Sequence, residues 1–187
     1  MTTRTTRRWG RSVGVLAGTL ALSLGASLAP VAPAYAADPP VTADKQDYYK
    51  YYKLKSIHDQ GITGKGVTIA VLDGAVNPNI PELKGANIQD RTPCVKESAP
   101  ENAAHGTTVA QILVSPEFGV APDATLYTYT IPLYGDKSNC TLSGWTGEAE
   151  NDTPLLIEQA INDGADIISI TSTYGKTESQ GMRWAIS

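Results

Sequence analysis

Of nitrogen and sulfur ligands for a metal centre, 187 residues offer only two cysteines and two histidines. Cys94 and Cys140 stand far apart and alone, without the paired spacing of a zinc site. A Gly-x-Gly-x-x-Gly following a strand is also missing. The glycine-rich run from Gly61 to Gly66 precedes an apolar segment instead, which argues on motif grounds against a nucleotide-binding α/β enzyme. Basic charge is scarce, with 15 Lys and Arg against 19 Asp and Glu. Four of those arginines, Arg4, Arg7, Arg8 and Arg11, sit together at the start, and without them 11 basic residues face 19 acids. A chain so acidic makes nucleic acid an unsuitable partner.

Those arginines introduce a segment of their own. An apolar run rich in Leu, Ala and Val extends from Val13 to about Val31 and is followed by Ala34-Tyr35-Ala36, a small-x-small cleavage site. Residues 1–36 therefore read as a signal peptide, with the mature chain starting at Ala37 in a secreted or extracytoplasmic protein. Gly18, Gly25 and Pro30 interrupt the run and argue against a retained membrane span. Arg7-Arg8 raises the twin-arginine route, but Gly10 and Arg11 occupy positions where that signal wants apolar residues. In an oxidising compartment Cys94 and Cys140 are expected to form one disulfide, worth about 4 kcal/mol in the chain-entropy picture.

Residues 37–53 read as an exposed linker and lead-in, Pro-rich and polar as far as Asp47. Tyr48, Tyr49, Tyr51, Tyr52, Leu54 and Ile57 then supply apolar surface expected to pack on the main domain, in preference to binding a glycan or partner. His58 reads as a surface residue. From Val67 to Leu72 the chain is β-branched and almost uniformly apolar, the composition of a strand buried on both faces of a parallel sheet. The run ends at Asp73. A carboxylate there is costly unless it is paired, and this edge of an open α/β sheet is where catalytic groups collect. Taken alone, Asp73 is equally an Asx turn into Gly74.

Residues 88–103 read as loop. His105 follows at a helix entrance, with small neighbours Ala103, Ala104 and Gly106 and an expected apolar face of Val109, Ile112 and Leu113. Thr125 to Ile131 alternates as a second strand. Asp152-Thr153-Pro154 offers a cap and a proline at the first helical position, ahead of an apolar face of Leu156, Ile157, Ala160 and Ile161. Ala165 to Ile170 makes a third strand. The order strand, helix, strand, helix, strand predicts an α/β fold with a parallel sheet flanked by helices.

Four blocks, in this order, resemble the subtilisin-like serine proteases. Gly64-Lys65-Gly66-Val67-Thr68-Ile69-Ala70-Val71-Leu72-Asp73 is similar to the strand that ends in the catalytic aspartate. Ala104-His105-Gly106-Thr107-Thr108-Val109-Ala110 resembles the catalytic histidine block, and Gly119-Val120-Ala121-Pro122-Asp123-Ala124 the turn after it. Ala160 to Ile168 is similar to the family's helix and following strand. The resemblance covers residues 54–175 and implies that Asp73 orients His105 as general base and acid, 32 residues apart. It also implies polypeptide substrates, with Thr171, Ser172 and Thr173 as an edge where extended peptide adds as a strand.

The departures from the family pattern are Gly74-Ala75 in place of Ser or Thr and then Gly, Thr108 in place of a second histidine, and Gln111 where glycine is frequent. The family's nucleophilic serine and oxyanion asparagine have no counterpart, since no Gly-Thr-Ser occurs. Ser169, Ser172, Ser179 and Ser187 lack the nucleophile's context. The expectation is an incomplete subtilisin-like domain over residues 54–187, inactive alone. The resemblance implies no cofactor. Calcium is frequent in the family, but no ligand loop is assignable. A mycosin-like subgroup and membrane anchoring through a further C-terminal segment are left open. The alternative is a non-catalytic secreted binding protein derived from a subtilase.

Overall fold

The computed structural model describes residues 41–94, 96–133, 135–138 and 143–171. The chain divides into units Met1–Ala37 and Asp38–Ser187, and the described residues all belong to the second. The expected signal peptide lies outside them. Two short helices open the unit, α1 (Asp47–Tyr51) and α2 (Leu54–His58), after a single 3₁₀ turn at Ala43–Lys45. They dock on residues 117–120: the Tyr48 hydroxyl donates to the Phe118 carbonyl at 2.9 Å, and His58 Nε2 lies 3.1 Å from the Val120 carbonyl. Leu54 is buried, whereas Tyr51 and Tyr52 are exposed. The expectation that the tyrosines pack thus holds for Tyr48 and fails for these two, which stack edge-on against each other.

The sheet is parallel and four-stranded, in the order β2-β4-β1-β6. Its members are β1 (Thr68–Asp73), β2 (Asn87–Asp90), β4 (Thr125–Thr130) and β6 (Ile167–Ile170). β1 is central because both of its faces are apolar. Ile69 and Val71 join Leu83, Ala110, Val114, Ala124 and Leu126 in one core, while Ala70 and Leu72 join Tyr129, Ile131, Leu156, Ile157 and Ala160 in the other. Helix α3 (Pro100–Val114) covers the first face and α4 (Ala149–Asn162) the second. A two-stranded antiparallel ribbon, β3 (Lys96–Glu97) with β5 (Lys137–Ser138), ties the two long loops together.

Several boundaries depart from the sequence reading. β2 and β3 fall in residues expected to be loop, being short and polar and taking their order from their partners. α3 starts at Pro100, five residues before His105, because proline at a first helical position forfeits no intrahelical hydrogen bond. Its buried stripe is Gly106, Ala110 and Val114; Val109 and Leu113 are partly buried and Ile112 is exposed. Small residues on that stripe let the helix lie close to the sheet.

α4 starts at Ala149, so Pro154 lies inside the helix instead of opening it. The buried Asp152 carboxylate extends the first turn upstream by accepting the Thr146 and Gly147 N–H groups at 2.9 and 2.8 Å. Ile161, expected on the apolar face, is partly exposed.

Tyr129 links the sheet to the end of α4, its hydroxyl donating to Asp163 Oδ2 at 2.7 Å. Burial first, then this bond and the Asp163 charge, push the phenol well above its ordinary value of 10.0. A raised folded value means that the phenol's contribution is complete below pH 10 and is lost as the pH rises further. Tyr129→Phe is expected to lower stability by about 1 kcal/mol at neutral pH, the net worth of one hydrogen bond. Urea midpoints above pH 10 should show the gap between variant and parent narrowing; a constant gap would contradict this account.

Candidate active site

The carboxyl ends of the strands converge at Asp73. In register, Asp73 stands opposite Thr130 on one side, and Leu72 opposite Ile170 on the other. The Asp73 side chain is fully buried, which a carboxylate tolerates only with its oxygens satisfied. They are satisfied. Oδ1 accepts from the Gly74 N–H and lies 2.9 Å from His105 Nδ1. Oδ2 accepts from the Thr171 hydroxyl.

A carboxylate only accepts, so the proton in the His105 contact resides on Nδ1. Nε2 is then the ring nitrogen free to take a proton, and the His105 side chain is 55% exposed. The arrangement joins a buried, hydrogen-bonded anion to a solvent-facing base, the polarity a general base needs.

What brings the two together is a backbone contact between α3 and the turn after β1. A Cβ added to Gly74 would sit 2.1 Å from the Asn102 carbonyl oxygen, and one added to Gly106 would sit 2.2 Å from the Gly74 carbonyl oxygen. Nothing larger than glycine fits either side. Family resemblance drew attention to Gly74 as a departure, yet its packing role is visible only in the fold. Ala75 keeps an ordinary backbone, since Lys53 alone among the described non-glycine residues has a positive φ.

Hydroxyls secure the same turn. Ala75 N–H donates to Ser98 Oγ at 3.2 Å and Asn77 N–H to Thr107 Oγ1 at 3.0 Å. Thr108, in place of a second histidine, turns its hydroxyl back to the Ala104 carbonyl at 2.9 Å.

The other expected site residues divide. Thr171 is at the site, but its hydroxyl is committed to Asp73. Ser172 and Thr173, the rest of the expected peptide-binding edge, lie outside the described residues, as do Ser179 and Ser187. Ser169 pairs with Val71 inside the sheet, two residues short of its edge. Cys94 is buried, and Cys140 lies outside the described residues. Among the described residues no three His, Cys, Asp or Glu side chains group to hold a metal ion, and no helix is long and apolar enough to cross a membrane.

Asp136 was passed over in the sequence, where it reads as loop. Its Oδ1 accepts the Ala99 N–H at 2.6 Å and the Asn102 side-chain amide at 2.9 Å. No sequence signal marks it, because its partners on the helix are more than 30 residues away.

With this geometry in view, the Subtilase family model matches residues 64–186. The minor extracellular protease Vpr of Bacillus subtilis is 30% identical over 166 residues, covering 79% of this chain and 19% of the relative. Subtilisin E of the same organism is 28% identical over 139 residues, covering 72% of this chain and 34% of the relative. Among solved structures, MycP1 from Mycobacterium smegmatis superposes with a TM-score of 0.56 at 21% identity, over 80% of this chain and 44% of that one. That likeness concerns the fold alone. The chain spans less than half the length of each of these three proteins.

Gly106→Ala is expected to cost about 1–3 kcal/mol by overpacking against the Gly74 carbonyl. Urea unfolding of the purified chain measures it, and an unchanged midpoint would show that the contact is not tight.

Proposed function

The chain belongs to the subtilase family, and from that premise we propose that Asp73 and His105 are two members of an Asp-His-Ser triad that hydrolyses peptide bonds. The observation that carries the reading is the 2.9 Å contact between buried Asp73 Oδ1 and His105 Nδ1 at the carboxyl edge of the central strand. His105 Nε2 removes the proton of a serine hydroxyl as it attacks the scissile carbonyl, then delivers it to the leaving amine. Asp73 holds the imidazole in the tautomer with its proton on Nδ1 and stabilises the imidazolium between those two transfers.

The nucleophile is not assigned to any serine of these 187 residues, so the activity is proposed for a polypeptide that also carries the family's serine and oxyanion asparagine. Polypeptide is the substrate class, and residues 171–173 are the proposed edge for strand addition. An intact pairing of a buried carboxylate with a solvent-facing imidazole is unneeded by a non-catalytic binding protein, which leaves that alternative without a supporting observation.

Export through a signal peptide cleaved after Ala36 is part of the same proposal, supported by the composition of residues 1–36 and by the extracellular relative. So is a Cys94–Cys140 disulfide. The ribbon supports it, since Lys96 faces Ser138 and Glu97 faces Lys137, which brings the loop that carries Cys94 beside the strand that precedes Cys140 in the chain.

In the polypeptide carrying the serine, His105→Ala is expected to lower kcat on the order of 10⁶-fold and Asp73→Ala about 10⁴-fold, the magnitudes that triad deletions give in a subtilisin. Steady-state cleavage of a chromogenic peptide measures both, and full activity in either variant would refute the assignment. Peptide mapping without reductant should recover Cys94 and Cys140 in one linked fragment; recovery of both as free thiols would exclude the disulfide.

A further inference from the structure

We propose that Asp136 is a positioning residue for His105, a clamp that sets the first turn of α3 where Nδ1 meets Asp73. The inference rests on the pairing of Asp73 with His105. α3 begins without a capping side chain of its own, because its N-cap is Ala99. Asp136 reaches it from the loop between β4 and β5. Oδ1 accepts the Ala99 N–H at 2.6 Å and the Asn102 amide at 2.9 Å, while Oδ2 accepts the Leu133 N–H at 2.9 Å. One carboxylate therefore grips the helix with one oxygen and its own loop with the other. Bonds to an ionised acceptor are stronger than neutral ones, and a negative charge is favoured at a helix start.

Asn102 gives the clamp its reach. It lies one helical turn before His105, so its displacement carries the imidazole with it. Its carbonyl oxygen is also the atom packed against Gly74, one residue after Asp73. The side chain that Asp136 holds thus belongs to the residue whose backbone sets the spacing between α3 and the β1 turn. The loop is held in turn by the ribbon, where β5 starts at the very next residue, Lys137, and Lys137 meets Glu97 at 3.3 Å. An ordinary structural contact would support the fold and leave the imidazole where it is. A clamp acts on the imidazole itself.

The test reads the His105 Nδ1 proton by NMR in the full chain labelled with nitrogen-enriched histidine. His58→Gln leaves His105 as the one remaining imidazole. The expected result in that background is a downfield Nδ1 proton signal that Asp73→Asn abolishes. Asp136→Ala and Asp136→Asn should speed its exchange with water about tenfold, the scale of one lost hydrogen bond. Asn102→Ala, which removes only one of the clamp's bonds, should speed it less. Wild-type exchange in Asp136→Asn and Asn102→Ala would overturn the clamp, and those two variants decide the matter should Asp136→Ala not fold. Absence of the signal in the background itself would overturn the Asp73–His105 pair and the clamp with it, while its presence with unchanged variants would overturn the clamp alone.

Discussion

The candidate site depends on a contact between two stretches of backbone. Gly74 and Gly106 face each other so closely that a single methyl group on either would displace α3 from the turn after β1. Side-chain chemistry at Asp73 and His105 follows from that approach, since a hydrogen bond of 2.9 Å has no slack for a helix moved outward by a methyl group. The small residues continue along the helix as Ala110, so closeness at the site and closeness in the core are one property of the same face.

Burying Asp73 is the main electrostatic cost of this architecture, and the neighbouring strands and turn offset it. The Gly74 N–H and the Thr171 hydroxyl, both near in space though one is 98 residues away in the chain, complete the carboxylate's shell beside His105. A carboxylate supplied with donors on both oxygens cannot rotate without losing one, so the oxygen that faces the imidazole is held there. Orientation of the base follows from satisfaction of the acid. In this chain a threonine hydroxyl from β6's exit serves the carboxylate, while the position after Asp73 carries glycine and has no hydroxyl to offer.

The loops above this edge are organised by polar contacts where apolar packing is thin. Thr92 and Thr130 bond to each other, Asp136 joins three donors, and the short ribbon brackets both loops. On the opposite side of the fold, Tyr129 and Asp163 secure α4 to the sheet. The result is a sheet whose edge is held by hydrogen bonds from several separate segments.

Much of this was legible in the residues themselves. The apolar run before Asp73 announced a buried parallel strand, and the periodicity around Leu156, Ile157 and Ala160 announced a helix on it, because burial on one or both faces imposes a repeat that local composition must satisfy. The block around His105 singled out the proposed base. Less legible were β2 and β3, which are short and polar, and the start of α3 at Pro100, where loop-like composition hid a helical turn. By itself the sequence determined the main order of strands and helices and singled out Asp73 and His105 as the proposed acid and base, since these are encoded in short stretches. The tertiary structure alone decided that Asn102 packs on Gly74, that Thr171 serves Asp73 and that Asp136 reaches α3. Those contacts join residues between 28 and 98 positions apart, and no local pattern records a distance that exists only once the chain has closed on itself.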